Sequence, residues 1–193
     1  MKLIALTGGL ATGKSACAKI LRRLGVPVID TDELSHSVIK KGKSAYKKVL
    51  ALFGSGILKR SGEIDRTLLA DLVFRRPALL KKLEKIVHPE VWKEAKKRIS
   101  CAKTGSFAVV EVPLLFEAGW EKKFNDVIVV YCSQKIQLKR CPKKFKLRLK
   151  TQMPLKLKVK KADYIIDNSH SLASTRRTVK AIFKRLVDKY GST

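Results

Sequence analysis

Leu3-Ile4-Ala5-Leu6-Thr7-Gly8-Gly9-Leu10-Ala11-Thr12-Gly13-Lys14-Ser15 is the stretch that decides the fold. Its first half is an apolar run that stops at two glycines, the pattern of a buried strand entering a tight turn. Its second half, Gly8 to Ser15, satisfies the phosphate-loop pattern G-x-x-x-x-G-K-[ST] in full. Glycines in such a turn let backbone N–H groups converge on a phosphate. Lys14 supplies a point charge to the outer phosphates, and Ser15 offers its hydroxyl to magnesium. Downstream, Cys17, Ile20, Leu21 and Leu24 recur at helical spacing, and Gly25 closes that helix. Its first turn adds the positive end of a helix dipole to the loop. Val26-Pro27-Val28-Ile29 then reads as a short strand with proline at its start, where a ladder tolerates it. A glycine turn with an idle lysine is the plainer alternative, but the setting between strand and helix argues against it.

The rest of the chain extends the same alternation. Phe107–Val112, Val127–Tyr131 and Tyr164–Ile166 read as three further buried strands. Val179, Ile182, Phe183, Leu186, Val187 and Tyr190 repeat at helical spacing, so an amphipathic helix lies near the last residues. Residues 43–100 are helical in pattern, with a turn around Lys59-Arg60-Ser61-Gly62 and no comparable strand. Pro77–Ile99 is expected as one long basic helix or as a pair broken near His88-Pro89. The expected fold is α/β: a parallel five-stranded sheet with helices on both faces. The expected organisation is a single domain over 1–193. Its core covers 1–42, 101–134 and 162–193, its helical substrate-binding part 43–100, and a short basic lid 135–161.

Composition narrows the functional classes. The 193 residues are 45% apolar, which suits a folded globular chain rather than a disordered one. No apolar run approaches the roughly 18–20 residues of a membrane span, and the first residues lack the apolar core and cleavage site of a signal peptide. A cytoplasmic location without membrane attachment is therefore expected. Cys17, Cys101, Cys132 and Cys141 show no C-x-x-C spacing and read as reduced, buried thiols rather than zinc ligands. Lys and Arg number 43 against 16 acids, a formal charge of +27. No acid lies between Asp126 and Asp163, while lysine and arginine crowd 135–161. Such a block is a solvated face, a nucleic-acid patch or a cationic cover over a polyphosphate.

Several residues carry candidate chemistry. Asp30 and Asp32 follow the second strand; strand alternation would put both carboxylates on one face, where one could accept a proton from a substrate hydroxyl. An aspartate there is also a common helix N-cap. Glu111 ends an apolar strand, the usual place for an acid that organises magnesium and its waters. Glu117 reads either as a cap or as a substrate contact. Arg140, Lys143, Lys144, Arg148 and Lys150 lie in the acid-free stretch, where cations would stabilise charge on a transferred phosphoryl group. His88, before Pro89, is either a substrate contact or a structural donor.

Beyond the loop, the order of motifs resembles the dephospho-CoA kinase family. The resemblance rests on Leu6 to Ser15, Val28-Ile29-Asp30-Thr31-Asp32, Ile64-Asp65-Arg66, His88-Pro89, Val112 to Glu117, Gln152-Met153-Pro154 and Ala162 to Asn168. It runs in order over nearly the whole chain. It implies transfer of the γ-phosphate of ATP to the ribose 3′-hydroxyl of dephospho-CoA, the last step of coenzyme A synthesis, with ATP and Mg²⁺ required. It also implies a P-loop kinase core with a helical substrate part and a lid. By the same resemblance the ATP loop falls on Gly8 and Ala11-Thr12-Gly13-Lys14-Ser15-Ala16. Ser15 is the metal ligand, and Asp32, Lys14 and Arg140 are catalytic. Asp32, Arg66, His88, Pro113 and Leu114 fall at substrate-binding positions. Three features depart from the family: Ala16 stands where a threonine is usual, the lid is several residues shorter with Lys144 near its second arginine, and the lid's acids are missing. A related small-molecule kinase and a nucleic-acid binder are the other readings. Against the latter, only Phe145 lies among the cations between Arg140 and Asp163, which leaves little stacking surface, so non-specific binding is the most that is expected of nucleic acid. A monomer is the expected state.

Overall fold

Strand β1 (Lys2–Gly8) is apolar because both of its faces are covered: Ile4, Ala5 and Leu6 have no exposed surface. The computed structural model describes residues 1–102, 105–142 and 152–191. In it, β1 is the middle of a five-stranded sheet with β2 (Val28–Asp30), β3 (Phe107–Glu111), β4 (Asp126–Tyr131) and β5 (Tyr164–Asp167). The order is β2-β3-β1-β4-β5, and every neighbouring pair is parallel. Leu6 pairs with Glu111 on one side of β1, and Gly8 pairs with Val130 on the other. The strands' carboxyl ends therefore share one edge, which is where open parallel sheets bind ligands.

Helices α1 (Lys14–Arg23) and α8 (Leu172–Tyr190) bury their apolar stripes in one core cluster with this sheet. Cys17, Ile20 and Leu21 from α1 meet Val179, Ile182 and Leu186 from α8 over Ile4, Leu6 and Ile128. The last turn of α8 is fastened by Asp126, only 3% exposed, which accepts from Lys189 Nζ at 2.7 Å and from the Tyr190 hydroxyl. That hydrogen bond raises the Lys189 pKa, while burial raises that of Tyr190. Two shorter helices, α6 (Gln134–Arg140) and α7 (Leu155–Lys160), follow β4.

The chain divides into two compact units, one of residues 1–30 and 102–193 and the other of residues 31–101. The second unit holds α2 (Thr31–Val38), α3 (Ser44–Phe53), α4 (Arg66–Phe74) and α5 (Pro77–Cys101). Its own core gathers Tyr46, Val49, Ile57, Ile64, Leu69 and Val73. Asp65 caps α4: its Oδ1 accepts from Thr67 N at 3.0 Å and Leu68 N at 3.2 Å.

Of the two forms expected for Pro77–Ile99 the structure has the single helix: Pro77–Cys101 runs through Pro89 without a break. One missing backbone donor is outweighed by burial on both sides of it, with Val91, Ala95 and Ile99 inside and Leu83, Ile86 and Val87 packed on the helical core. Two expectations need correction. Asp32 is not on a strand face beside Asp30, because β2 stops at Asp30 and α2 begins at Thr31. Alternation therefore does not relate the two carboxylates. Finally, Cys17, Cys132 and Cys141 are buried free thiols, but Cys101 is exposed. Lys143, Lys144, Arg148 and Lys150 lie outside the described residues.

Candidate active site

The loop after β1 takes its shape from two kinds of backbone demand. Gly13 has φ 93° and is the N-cap of α1, a left-handed position that favours glycine. A Cβ there would lie 2.0 Å from Asn168 Nδ2. Ala11, with φ 62°, holds the same left-handed region without that freedom, at a cost of roughly 1–2 kcal/mol. The surroundings secure this shape. Thr12, fully buried, donates from Oγ1 to Gly9 O at 2.9 Å, while Thr12 O accepts from Asn168 Nδ2 at 2.8 Å.

Asn168 is a hub. It lies just past β5 and is 7% exposed. Its Oδ1 accepts from Thr175 Oγ1 of α8 at 2.7 Å, and its carbonyl accepts from Arg140 Nη1 at 3.0 Å. Arg140, the last residue of α6, thus lies beside the loop, with Nη1 4.0 Å from where a Cβ of Gly13 would be.

At the helix N-terminus, Lys14 Nζ is 3.3 Å from Glu111 Oε1, and both side chains are largely buried. Ser15 Oγ donates to the same carboxylate at 3.4 Å. Glu111 thus reaches the two residues that the phosphate-loop pattern assigns to phosphate and metal. A hydroxyl and a carboxylate side by side are hard oxygen donors of the type magnesium takes, so the residues present fit that ion. Cys17, one turn further along α1, has its thiol pushed up to about 12 by burial, with the Glu111 charge adding to it.

The loop after β3 holds Pro113 and Leu114. Pro113 O accepts from Thr7 Oγ1 at 3.4 Å and from Lys158 Nζ at 3.1 Å, whereas Leu114 is exposed. Glu117 is neither a cap nor a free surface acid. Its Oε1 is 2.9 Å from Lys158 Nζ and accepts from Met153 N, also at 2.9 Å.

The remaining candidates belong to the helical unit. Asp32 is exposed in the first turn of α2, and Arg66 is exposed as the first residue of α4. His88 is half-buried in α5, and burial lowers its pKa.

Sequence reasoning missed the roles of Asn168 and Lys158. Asn168 stood in a quoted motif without a role. Lys158 has no exposed surface, yet it sits in a run of lysines for which the sequence offers a solvated face, a nucleic-acid patch or a cationic cover, none of which buries a lysine in this way.

The family model described as dephospho-CoA kinase matches residues 2–174. The dephospho-CoA kinase of Aquifex aeolicus is 41% identical over 192 residues, covering 96% of this chain and 98% of that one. Among solved structures, TT1252 from Thermus thermophilus superposes with a TM-score of 0.83 at 32% identity, over 96% of this chain and 97% of that chain. The dephospho-CoA kinase from Campylobacter jejuni does so with 0.72 at 29% identity, over 98% and 99%.

Proposed function

The chain belongs to the dephospho-CoA kinase family, and from that premise we propose how its residues divide the work of an ATP-dependent phosphoryl transfer. The substrates are ATP and dephospho-CoA, and the products are ADP and coenzyme A. The observation that carries the reading is the phosphate loop at the start of α1, with Lys14 and Ser15 both against Glu111.

Gly8 and Ala11 to Ala16 hold the triphosphate through backbone N–H groups at the helix N-terminus. Lys14 leaves Glu111 for the β- and γ-phosphates, so that a buried pair is exchanged for a pair of greater charge. Ser15, supported by Glu111, would hold Mg²⁺, which when bound neutralises charge on the phosphates. Arg140 contributes charge to the phosphoryl group in transit, a role supported by its bond to Asn168 beside the loop. Asp32 takes the proton of the ribose 3′-hydroxyl as that oxygen bonds to the γ-phosphorus and the bond to ADP breaks. Its support is an exposed carboxylate in the first turn of α2. Arg66, His88, Pro113 and Leu114 bind dephospho-CoA, and residues 31–101 form the substrate-binding part. The stretch 135–161, of which 143–151 lie outside the described residues, acts as the lid. A monomer in the cytoplasm belongs to the same proposal; among the described residues no helix is long and apolar enough to cross a membrane.

The test is ADP release in magnesium with and without dephospho-CoA. Release should require the acceptor and fall about 10²–10⁴-fold in Asp32→Asn. Acceptor-independent release would overturn the reaction, and full turnover in Asp32→Asn would overturn the role of Asp32.

A further inference from the structure

Gly9 occupies a position that the phosphate-loop pattern leaves open, and its own φ does not demand glycine. The reason for a glycine there is spatial. A Cβ on Gly9 would stand 2.6 Å from Gln137 Nε2. Gln137, on α6, passes over Gly9 to donate from Nε2 to Leu10 O at 2.8 Å. On the other side of the same residue, Leu10 N donates to Gln152 Oε1 at 3.1 Å. Both backbone groups of Leu10 are thus held by glutamine side chains more than a hundred residues away in the chain.

A trans peptide is planar, with its C=O and N–H pointing in opposite directions. Fixing Leu10 O toward Gln137 therefore turns Ala11 N–H to the opposite side. Fixing Leu10 N–H toward Gln152 likewise turns Gly9 O away from Gln152, and Gly9 O accepts from Thr12 Oγ1 at 2.9 Å. Ala11 is also the non-glycine residue held at φ 62°, a conformation that reverts unless its neighbours restrain it. Two consecutive peptide planes of the loop are thus set by side chains from outside it.

We infer that Gln137 and Gln152 are positioning residues for the triphosphate: by clamping Leu10 they aim Ala11 N–H at the phosphate, and Gly9 is glycine to let Gln137 through. This rests on Gly8–Ala16 being the ATP loop. It assigns work to Gln152 of the Gln152-Met153-Pro154 motif and to a glutamine that no motif singled out.

Gln137→Met and Gln152→Met keep side-chain length while removing the bonds, and Gly9→Ala should displace the Gln137 amide without touching it chemically. Each should raise both the KM for ATP and the dissociation constant of ADP by about three- to tenfold, the size expected for one lost hydrogen bond. The KM for dephospho-CoA should stay within about twofold and the melting temperature within a few degrees. Gly9→Ala combined with Gln137→Met should match either single variant, because both remove one bond. Unchanged ADP affinity in all three single variants would overturn the inference. So would equal shifts in both substrates' KM values accompanied by a large fall in melting temperature, the mark of a merely structural role. Lys14→Met separates this from the loop assignment. ADP affinity unchanged in Lys14→Met means the loop itself is misassigned, whereas loss there beside normal glutamine variants removes only the clamp.

Discussion

Cys17 and Cys101 are chemically the same residue in opposite circumstances. Cys17 lies in the core under the phosphate loop, and its thiol holds its proton up to about 12, first through burial and then through Glu111. Its ordinary value is 9.0, so the folded chain binds the proton more tightly than the unfolded chain does. This contribution to stability is complete below about pH 9 and is lost as pH rises from there toward 12. Reactivity needs thiolate and access, and Cys17 has neither, whereas Cys101 is exposed. Iodoacetamide at pH 8 should therefore label Cys101 alone in the folded protein and all four cysteines in urea, read by intact mass and peptide mapping. Labelling of Cys17 in the folded state at the rate of Cys101 would contradict its burial.

At the scale of elements, α7 is attached to the loop after β3 through the side chain of Lys158. Lys158 has no exposed surface, and its ammonium reaches Pro113 O and both carboxylate oxygens of Glu117. Removing one partner of such a pair strands the other. Lys158→Met should cost about 2–4 kcal/mol in urea unfolding, short of the full penalty because Glu117 keeps 22% exposure. Replacing both as Lys158→Met with Glu117→Leu should recover part of that loss; a double variant weaker than the single would rule the pair out as the cause. These long attachments also explain what the sequence could and could not disclose. β1, the glycine loop and α1 were legible because their signals are local: an apolar run, a fixed glycine spacing, and a 3.6-residue period. The end of β2 was misread because Asp30 and Asp32 look alike in a list, while the helix starting at Thr31 belongs to a separately packed unit. The continuity of α5 through Pro89 is not legible in the sequence because packing, not propensity, decides it. Asn168 bonds the loop across 156 residues and Lys158 reaches Glu117 across 41. No periodicity carries such distances, so Gly13, Lys14, Ser15, Glu111 and Arg140 are legible as candidates from local pattern, while the bonds that brace the loop, those of Asn168 above all, come from the fold.

At the scale of the molecule, a charge of +27 meets two polyanionic substrates. Encounter should be steered electrostatically, and the screening length shrinks from about 10 Å at 0.1 M salt to about 3 Å at 1 M. Raising KCl from 0.05 to 0.5 M should thus lower kcat/KM for ATP and for dephospho-CoA at least several-fold while kcat changes little; flat kcat/KM values would show that the excess charge does not act on substrate encounter. The strand order has a different consequence, one of timing. β1 precedes every other strand in the chain, yet its two partners are Phe107–Glu111 and Asp126–Tyr131. At roughly 5–20 residues per second, a ribosome needs on the order of ten seconds after making β1 to deliver both. The Asn168 amide that supports Thr12 arrives later still. During that interval an apolar strand destined for the centre of the sheet has both edges open, which makes it the natural segment for a chaperone to cover and the place where crowded synthesis would first go wrong.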